Sequence, residues 1–544
     1  MVLLVLFVLA GTTAAALPTL VYRDDPAYVL ARRLALAAGS APPSAVSPLT
    51  AGELRLVLDE IDLDALPAGL VPEYRALRRR LTGDPEGDPV GSIGLVFSPE
   101  LYLHTSGEPD AWRYWYPHRR PVLSMPIRAK PLAPLVIEFD LDWRRNYPFF
   151  PGTDRDTPNP NPVTNVPVDV LESDVQFPFR ALVSAGGERW SLQYGRGLVA
   201  LGSGESGSLF LSDHVDYHEY LMASVWGRLF TYRALYLDLE AHYTGGDAVD
   251  NRMFFAHRIE MRPAPWLSLA ANDGWIYAGP PLELRYFNPL MIMHSWFLPQ
   301  RGNSLLNFEA AIRPVRGLEV YGHFAIEQLQ IALEEERGYA ADDPDALGFL
   351  AGVEYALPIP VGWLTVGMEW VHLDPWMYIG RNLPTSFTYR RLVQAEHVRN
   401  PEGVPVGDKV LVEKPLGYPA GPDYYEVLVH ATADLRERLT LGLQARLAAK
   451  GENELGRPVE VEDPADAARR TPSGDAPQRL LHARLAADVL IGELRLSSVP
   501  LELRAGAVVD AIRVLNRGYE AGRVLRDLQF SPYVSVGVRH DFRR

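Results

Sequence analysis

The sequence predicts a mainly β protein: a transmembrane antiparallel β-barrel of about 16–18 strands with a small helical module in front of it. Three observations lead there. Extended segments alternate apolar and polar residues over most of the chain, an export-type leader precedes them, and the final segment alternates up to a terminal aromatic. The clearest segment places Leu135, Ile137, Phe139, Leu141 and Trp143 on one side of a strand and Val136, Glu138, Asp140 and Asp142 on the other. Successive strand side chains point to opposite faces, so such a segment has one oily and one wet surface. The oily face is expected to meet lipid and the acidic face to line the interior.

Residues 1–16 are expected to be a signal peptide. The run from Met1 to Ala10 is apolar but shorter than the ~20 residues of a membrane-spanning helix. Small residues Ala14 and Ala16 suit a cleavage site, although no Lys or Arg precedes the run.

Residues 17–89 read as a periplasmic helical module. Asp25 before Pro26 is a cap with proline at the first helical position, and Gly39 is the stop. Thr50-Ala51-Gly52-Glu53 is a capping box that opens a second helix through Leu54, Val57, Leu58 and Ile61. Pro72 starts a third, carrying Tyr74, Leu77 and Leu81. The turn-rich run from Gly83 to Pro89 ends the module.

From residue 90 to 544 the period is two. Leu235, Leu237, Leu239, Ala241 and Tyr243 oppose Tyr236, Asp238, Glu240 and His242. The same alternation puts Leu318, Val320, Phe324 and Ile326 against Glu319, His323 and Glu327. Leu364, Val366, Met368 and Trp370 oppose Thr365, Gly367 and Glu369. Further segments follow Leu439, Leu481 and Leu501. Their lengths approach the 9–11 residues, roughly, of a membrane strand. In the last one, Phe530, Pro532, Val534, Val536, Val538, His540 and Phe542 form one face, ahead of Arg543 and Arg544. A soluble sandwich alternates in the same way; the leader, the strand lengths and the last strand favour the barrel. Three long polar connections, 144–175, 374–424 and 449–479, are expected to be extracellular loops.

Composition narrows the function. A formal charge of −15 over 544 residues argues against a nucleic-acid partner, which needs clustered positive charge. With no cysteine, thiolate metal sites, disulfides and cysteine nucleophiles are excluded. The densest group of metal-type ligands, His214 and His218 with Asp213, Asp216 and Glu219, offers no fixed third ligand and reads as a polar loop or inner wall. The chain has no convincing nucleophile elbow, and its many paired acids read as a solvated wall, so neither an enzyme nor a cofactor is expected.

Three segments resemble the capsule assembly Wzi family of outer-membrane barrels. The first is the glycine-rich stretch 195–213, with Gly202 and Gly204, ending in Leu211-Ser212-Asp213. The second is Asn288-Pro289 after Phe287. The third is 416–423, ending in Gly421-Pro422-Asp423. Where the family often has Trp-Gly-Pro-Gly, this chain has Leu201-Gly202-Ser203-Gly204. The resemblance implies a bacterial outer-membrane protein that binds, retains or organises surface or capsular polysaccharide, without covalent chemistry. The glycines themselves read as a folded-in loop or a tight turn, with ligand contact as the lesser reading.

Candidate glycan contacts are Trp112, Tyr114, Trp115 and Tyr116 with Arg119 and Arg120, which could stack on sugar rings and pair with acidic groups. The same aromatics suit the girdle of a barrel, as do Trp370 and Trp376. The expected partners are surface polysaccharide and outer-membrane lipid, with the protein a monomer. The alternative function is an outer-membrane porin or diffusion channel.

Overall fold

The computed structural model describes the chain apart from residues 1–17, 83–89, 107–118, 149–162, 168–172, 175–178, 280–282, 295–297, 299–301, 330–343, 397–408 and 456–469. It also leaves out 133, 146, 245–246, 381–382, 437, 497–498 and 543–544. Among the described residues, eighteen antiparallel strands close on themselves. The first nine are β1 (Gly91–Phe97), β2 (Leu123–Leu132), β3 (Leu135–Trp143), β4 (Arg180–Gly186), β5 (Trp190–Gly197), β6 (His218–Trp226), β7 (Phe230–Thr244), β8 (Asp247–Ala264) and β9 (Leu267–Ala278). The rest are β10 (Gly302–Ile312), β11 (Leu318–Gln328), β12 (Ala346–Ile359), β13 (Gly362–Leu373), β14 (Tyr424–Leu435), β15 (Leu439–Lys450), β16 (Gln478–Leu496), β17 (Val499–Leu515) and β18 (Val524–Phe542). The alternating last strand is what closes the barrel: β18 pairs with β1 from Val536↔Phe97 to Phe542↔Gly91. Closure leaves no strand edge unpaired, which a sheet in lipid requires.

The outer wall is an apolar skin. Leu441, Leu443, Leu447, Leu481 and Leu485 are exposed on it. Their strand neighbours turn inward, where Arg446 pairs with Glu426 and Arg484 with Asp510. In water such a skin would cost about 25 cal/mol for each Å² left exposed, so hydrocarbon is its natural solvent. Trp370 lies in an outward aromatic row as expected. Phe324 stacks on Phe349 at 5.0 Å between ring centres, and Trp370 packs with His372 and Tyr425.

Strand β7 breaks the expected orientation. Leu235, Leu237 and Leu239 face the interior and join the core, while Tyr236 points outward against Phe255 and Asp238 is exposed. The reason is that the inside here is not water: it is filled by apolar loop residues, so the oily face of β7 is buried inward.

The helical module is α1 (Pro26–Ala38), α2 (Ala51–Asp59) and α3 (Val71–Thr82). Asp25 accepts from the Ala27 amide at 2.7 Å, Gly39 ends α1 at φ 74°, and Thr50 and Glu53 form the capping box. The helices sit at the barrel end where the connections are tight turns. Arg33 pairs with Asp434 at 2.6 Å, the Trp363 indole donates to Glu73 at 3.1 Å, and the Gly317 amide donates to the Leu36 carbonyl at 2.8 Å. Inside the wall, Arg32 pairs with Glu319 at 2.5 Å and with Glu354, and Glu53 pairs with Arg233.

Candidate functional site

Two loops meet the helical module inside the barrel. The glycine-rich loop 198–217 folds into the lumen, where Ala200–Leu201 pairs with Val46–Ser47 of the module. Its three glycines at 202, 204 and 207 have φ of 116°, 134° and 142°, a region closed to most side chains. That backbone wraps the Glu369 carboxylate of β13. The carboxylate accepts from the Glu205 and Ser206 amides at 2.8 and 3.0 Å, from the Ser206 hydroxyl, and from the Tyr321 hydroxyl at 2.8 Å. Ser203 hydrogen-bonds His323 at 2.6 Å, and Arg23 of the module donates to the Gly202 carbonyl at 2.8 Å. The glycines therefore build a folded-in loop clamped between module and wall.

The connection 374–424, expected to lie outside, turns inward at several of its described residues. Met377, Tyr378, Phe387, Leu416 and Tyr418 are buried in one core with Leu209, Phe210 and Leu211 of the glycine loop and Leu34, Leu54 and Leu58 of the helices. Trp376 packs against this core rather than in the outer girdle, because its loop descends into the barrel. The Tyr378 hydroxyl donates to the Leu209 carbonyl at 2.7 Å and accepts from the Tyr418 amide at 3.0 Å, tying the two loops together.

At the opposite end from the helices, a small sheet lies over the mouth. Thr388–Glu396 pairs with Lys409–Pro415, and Tyr147–Pro148 adds a parallel third strand. Below it, cations and rings alternate: Arg144 faces Phe179 at 4.8 Å, Arg391 lies 5.6 Å from Phe179 and 4.3 Å from Tyr217, and Arg196 lies 4.0 Å from Tyr217. Asp216 anchors the sheet, accepting from Arg391 at 2.9 Å with Lys414 at 3.8 Å. Burial lowers the Lys414 amine below its ordinary range, and Asp216 opposes that shift. Burial raises the Tyr217 phenol, against the pull of Arg391 and Arg196. This ladder is a rigid support for the mouth, each of its faces already occupied by a neighbour.

Of the candidate glycan contacts, Trp112, Tyr114, Trp115 and Tyr116 lie outside the described residues. Arg119 is buried, and its carbonyl accepts from Arg144. Arg120 stacks inside the barrel, 3.6 Å over the Tyr533 ring, and Tyr533 in turn hydrogen-bonds Asp488. The motif positions hold the architecture. Ser212 caps the 208–212 turn, accepting from the Ser208 amide at 2.7 Å. Asp213 is half-buried, at the end of that stretch. Gly421 (φ 71°) turns the chain, the Pro422 carbonyl accepts from Lys450, and buried Asp423 accepts from the Ser473 and Asn453 amides at 3.0 and 3.2 Å. Asn288 and Pro289 lie on the outer wall, in the β9–β10 connection. Arg391, Lys414 and Glu369 were not singled out by sequence reasoning as site residues, and Asp216 was named only within the metal-type group around His214. Strand parity places Glu369 inside, but no pattern in the sequence pairs it with a loop more than 160 residues away.

No family model matches the chain, and no curated protein matches it. Among solved structures, it is similar to Wzi, an outer membrane protein involved in group 1 capsule assembly in Escherichia coli and described as a carbohydrate-binding β-barrel. The identity is 15%, the alignment covers 96% of this chain and 100% of that one, and the TM-score is 0.55. OprD of Pseudomonas aeruginosa aligns at 9% identity over 84% and 95% of the two chains, with a TM-score of 0.37. OccK8 (OprE) of the same organism aligns at 8% identity over 84% and 99%, with a TM-score of 0.39. The last two are too distant to bear on function. The fold is that of Wzi, and a closed barrel with this apolar skin belongs in the bacterial outer membrane.

Proposed function

We propose that this chain binds and retains surface or capsular polysaccharide at the loop end of the barrel, as a monomer with its helical module facing the periplasm. One observation carries the reading: a single apolar core runs from the helices through the glycine loop to Met377, Tyr378, Phe387, Leu416 and Tyr418 inside the barrel. An 18-strand barrel encloses an aqueous lumen unless something fills it, and a diffusion channel needs that lumen. Here the lumen beside strands β4–β15 is occupied by that core. The carbohydrate-binding description of the fold relative supports the same reading.

The contacts assigned to sugar are the aromatics Trp112, Tyr114, Trp115 and Tyr116, while Arg119 is buried and Arg120 is engaged by Tyr533 inside the barrel. Each ring would add weakly, and many repeats along a polymer would supply avidity. The test has two arms. Purified protein in planar bilayers should stay silent, and immobilised protein should retain surface polysaccharide, losing it in the Trp112→Ala/Trp115→Ala double variant. Steady single-channel conductance with no glycan retention would replace this reading with the porin.

A further inference from the structure

The described part of the connection between β9 and β10, residues 283–294 and Leu298, lies against the outside of the barrel. On β8, Arg252, Phe254 and Arg258 point inward, where Arg252 donates to loop carbonyls and Arg258 to Glu309. The opposite parity, Phe255, His257, Ile259 and Met261, therefore faces out, and Ile259 and Met261 are exposed on the skin. Phe255 is nevertheless 2% exposed. Residues 283–294 and Leu298 cover it, with Tyr286 and Phe287 packed on its ring at 5.2 and 4.9 Å and Met293 and Leu298 completing the cluster.

This segment also caps polar groups of the outer wall. His257 takes the Tyr232 hydroxyl at 2.6 Å on one ring nitrogen and the Tyr286 carbonyl at 2.9 Å on the other. Outward-facing Asp273 accepts from the Met293 amide at 2.8 Å. The depth follows from register. Arg196, Glu219 and Asp238 form a polar row across β5, β6 and β7, and Asp238 is level with Met253. His257 and Asp273 are paired four residues further down, about 10 Å at the usual rise and tilt. The segment thus descends below the polar boundary into the height of the apolar skin.

We infer that residues 283–294 form a lipid-contact flap, whose Leu290 and Ile292 lie among the acyl chains of the outer leaflet. Irregular backbone is costly in hydrocarbon because its N–H groups lack water. This segment satisfies most of its own. The amides of Tyr286, Asn288, Met291 and His294 donate to carbonyls within it, Leu290 donates to the Asn288 side chain, and Met293 donates to Asp273. Pro289 has no N–H to satisfy. Its most exposed large apolar residues are Leu290 at 88% and Ile292 at 59%, beside exposed Pro289 and Asn288, while exposed Arg285 is neutralised by Glu283 at 2.7 Å. Below it the skin continues as an apolar groove, floored by Ala271, Ala310 and Gly322 between Ile259, Met261 and Phe308. The Asn-Pro pair is on this reading a device for a turn that needs no water.

The native chain has no cysteine, so single labels are clean. Leu290→Cys and Ile292→Cys are spin-labelled and the protein is reconstituted in phosphatidylcholine vesicles, with Leu269→Cys as the skin control and Glu520→Cys as the water control. Folding is verified by the heat-dependent shift on gels. Both flap labels should match Leu269 in accessibility to oxygen and be several-fold less accessible than Glu520 to a soluble nickel chelate. Nickel access equal to that of Glu520 would overturn the inference in favour of a water-exposed loop. Labels inaccessible to both reagents would overturn it in favour of a protein partner, including a second copy.

Discussion

At the scale of single residues, the interior is held by charges whose partners are distant in sequence. Glu369 is the sharpest case, since four donors converge on one carboxylate. Each buried donor left without a partner costs about 1–3 kcal/mol. Glu369→Ala is therefore expected to lower the temperature of the gel mobility shift and to admit conductance in bilayers, while Glu369→Gln keeps part of both. A variant as silent and heat-stable as the native protein would show that the glycine loop is held otherwise. Asp216→Ala strands Arg391 in a buried site, a loss of about 3–5 kcal/mol for a buried pair. Hydrogen exchange in 388–396 should rise accordingly. Lys414 adds a pH dependence: its lowered amine binds fewer protons folded than unfolded. The mouth sheet should lose stability as pH falls below the ordinary lysine value of 10.5, and the loss should stop once pH passes the lowered value. Lys414→Met should flatten that slope.

At the scale of elements, the periodicities of two and 3.6 were legible because the solvent on each side of the element repeats with them. All three helices, the capping box at Thr50 and Glu53, the outward Leu443 and Leu485 and the closing strand at Phe542 could be read this way. Strand β7 could not, because an alternation says which residues share a face but not what lies against it. With Leu237 fully buried inside and Tyr236 outside, the oily side met loop rather than lipid. Trp376 was misread for the same reason: its ring suits an interface or a core, and only the path of 374–424 decides. The site was less legible than the fold, since Asp216, Arg391 and Glu369 are joined by contacts spanning more than 160 residues. The module gives an element-scale prediction. Glu53→Ala removes both the partner of buried Arg233 and half the capping box. The combined loss of about 4–6 kcal/mol should lower the urea midpoint of helices and wall together, as followed by tryptic cleavage at Arg55 and by the gel mobility shift.

At the scale of the whole molecule, barrel and filling are one object. The core that contains Leu34 and Leu54 of the helices also contains Leu209 and Tyr378 of the loops and Leu235, Leu305 and Val371 of the wall. An empty version of this cylinder would present β7's leucines to water on its inner side and the rest of its skin to lipid on its outer side. Assembly therefore has to fill the cylinder as it shuts it. Heating should give one cooperative melt rather than a plug that leaves first, and a truncated chain lacking its front helices should accumulate as an unclosed, aggregation-prone sheet rather than as a pore.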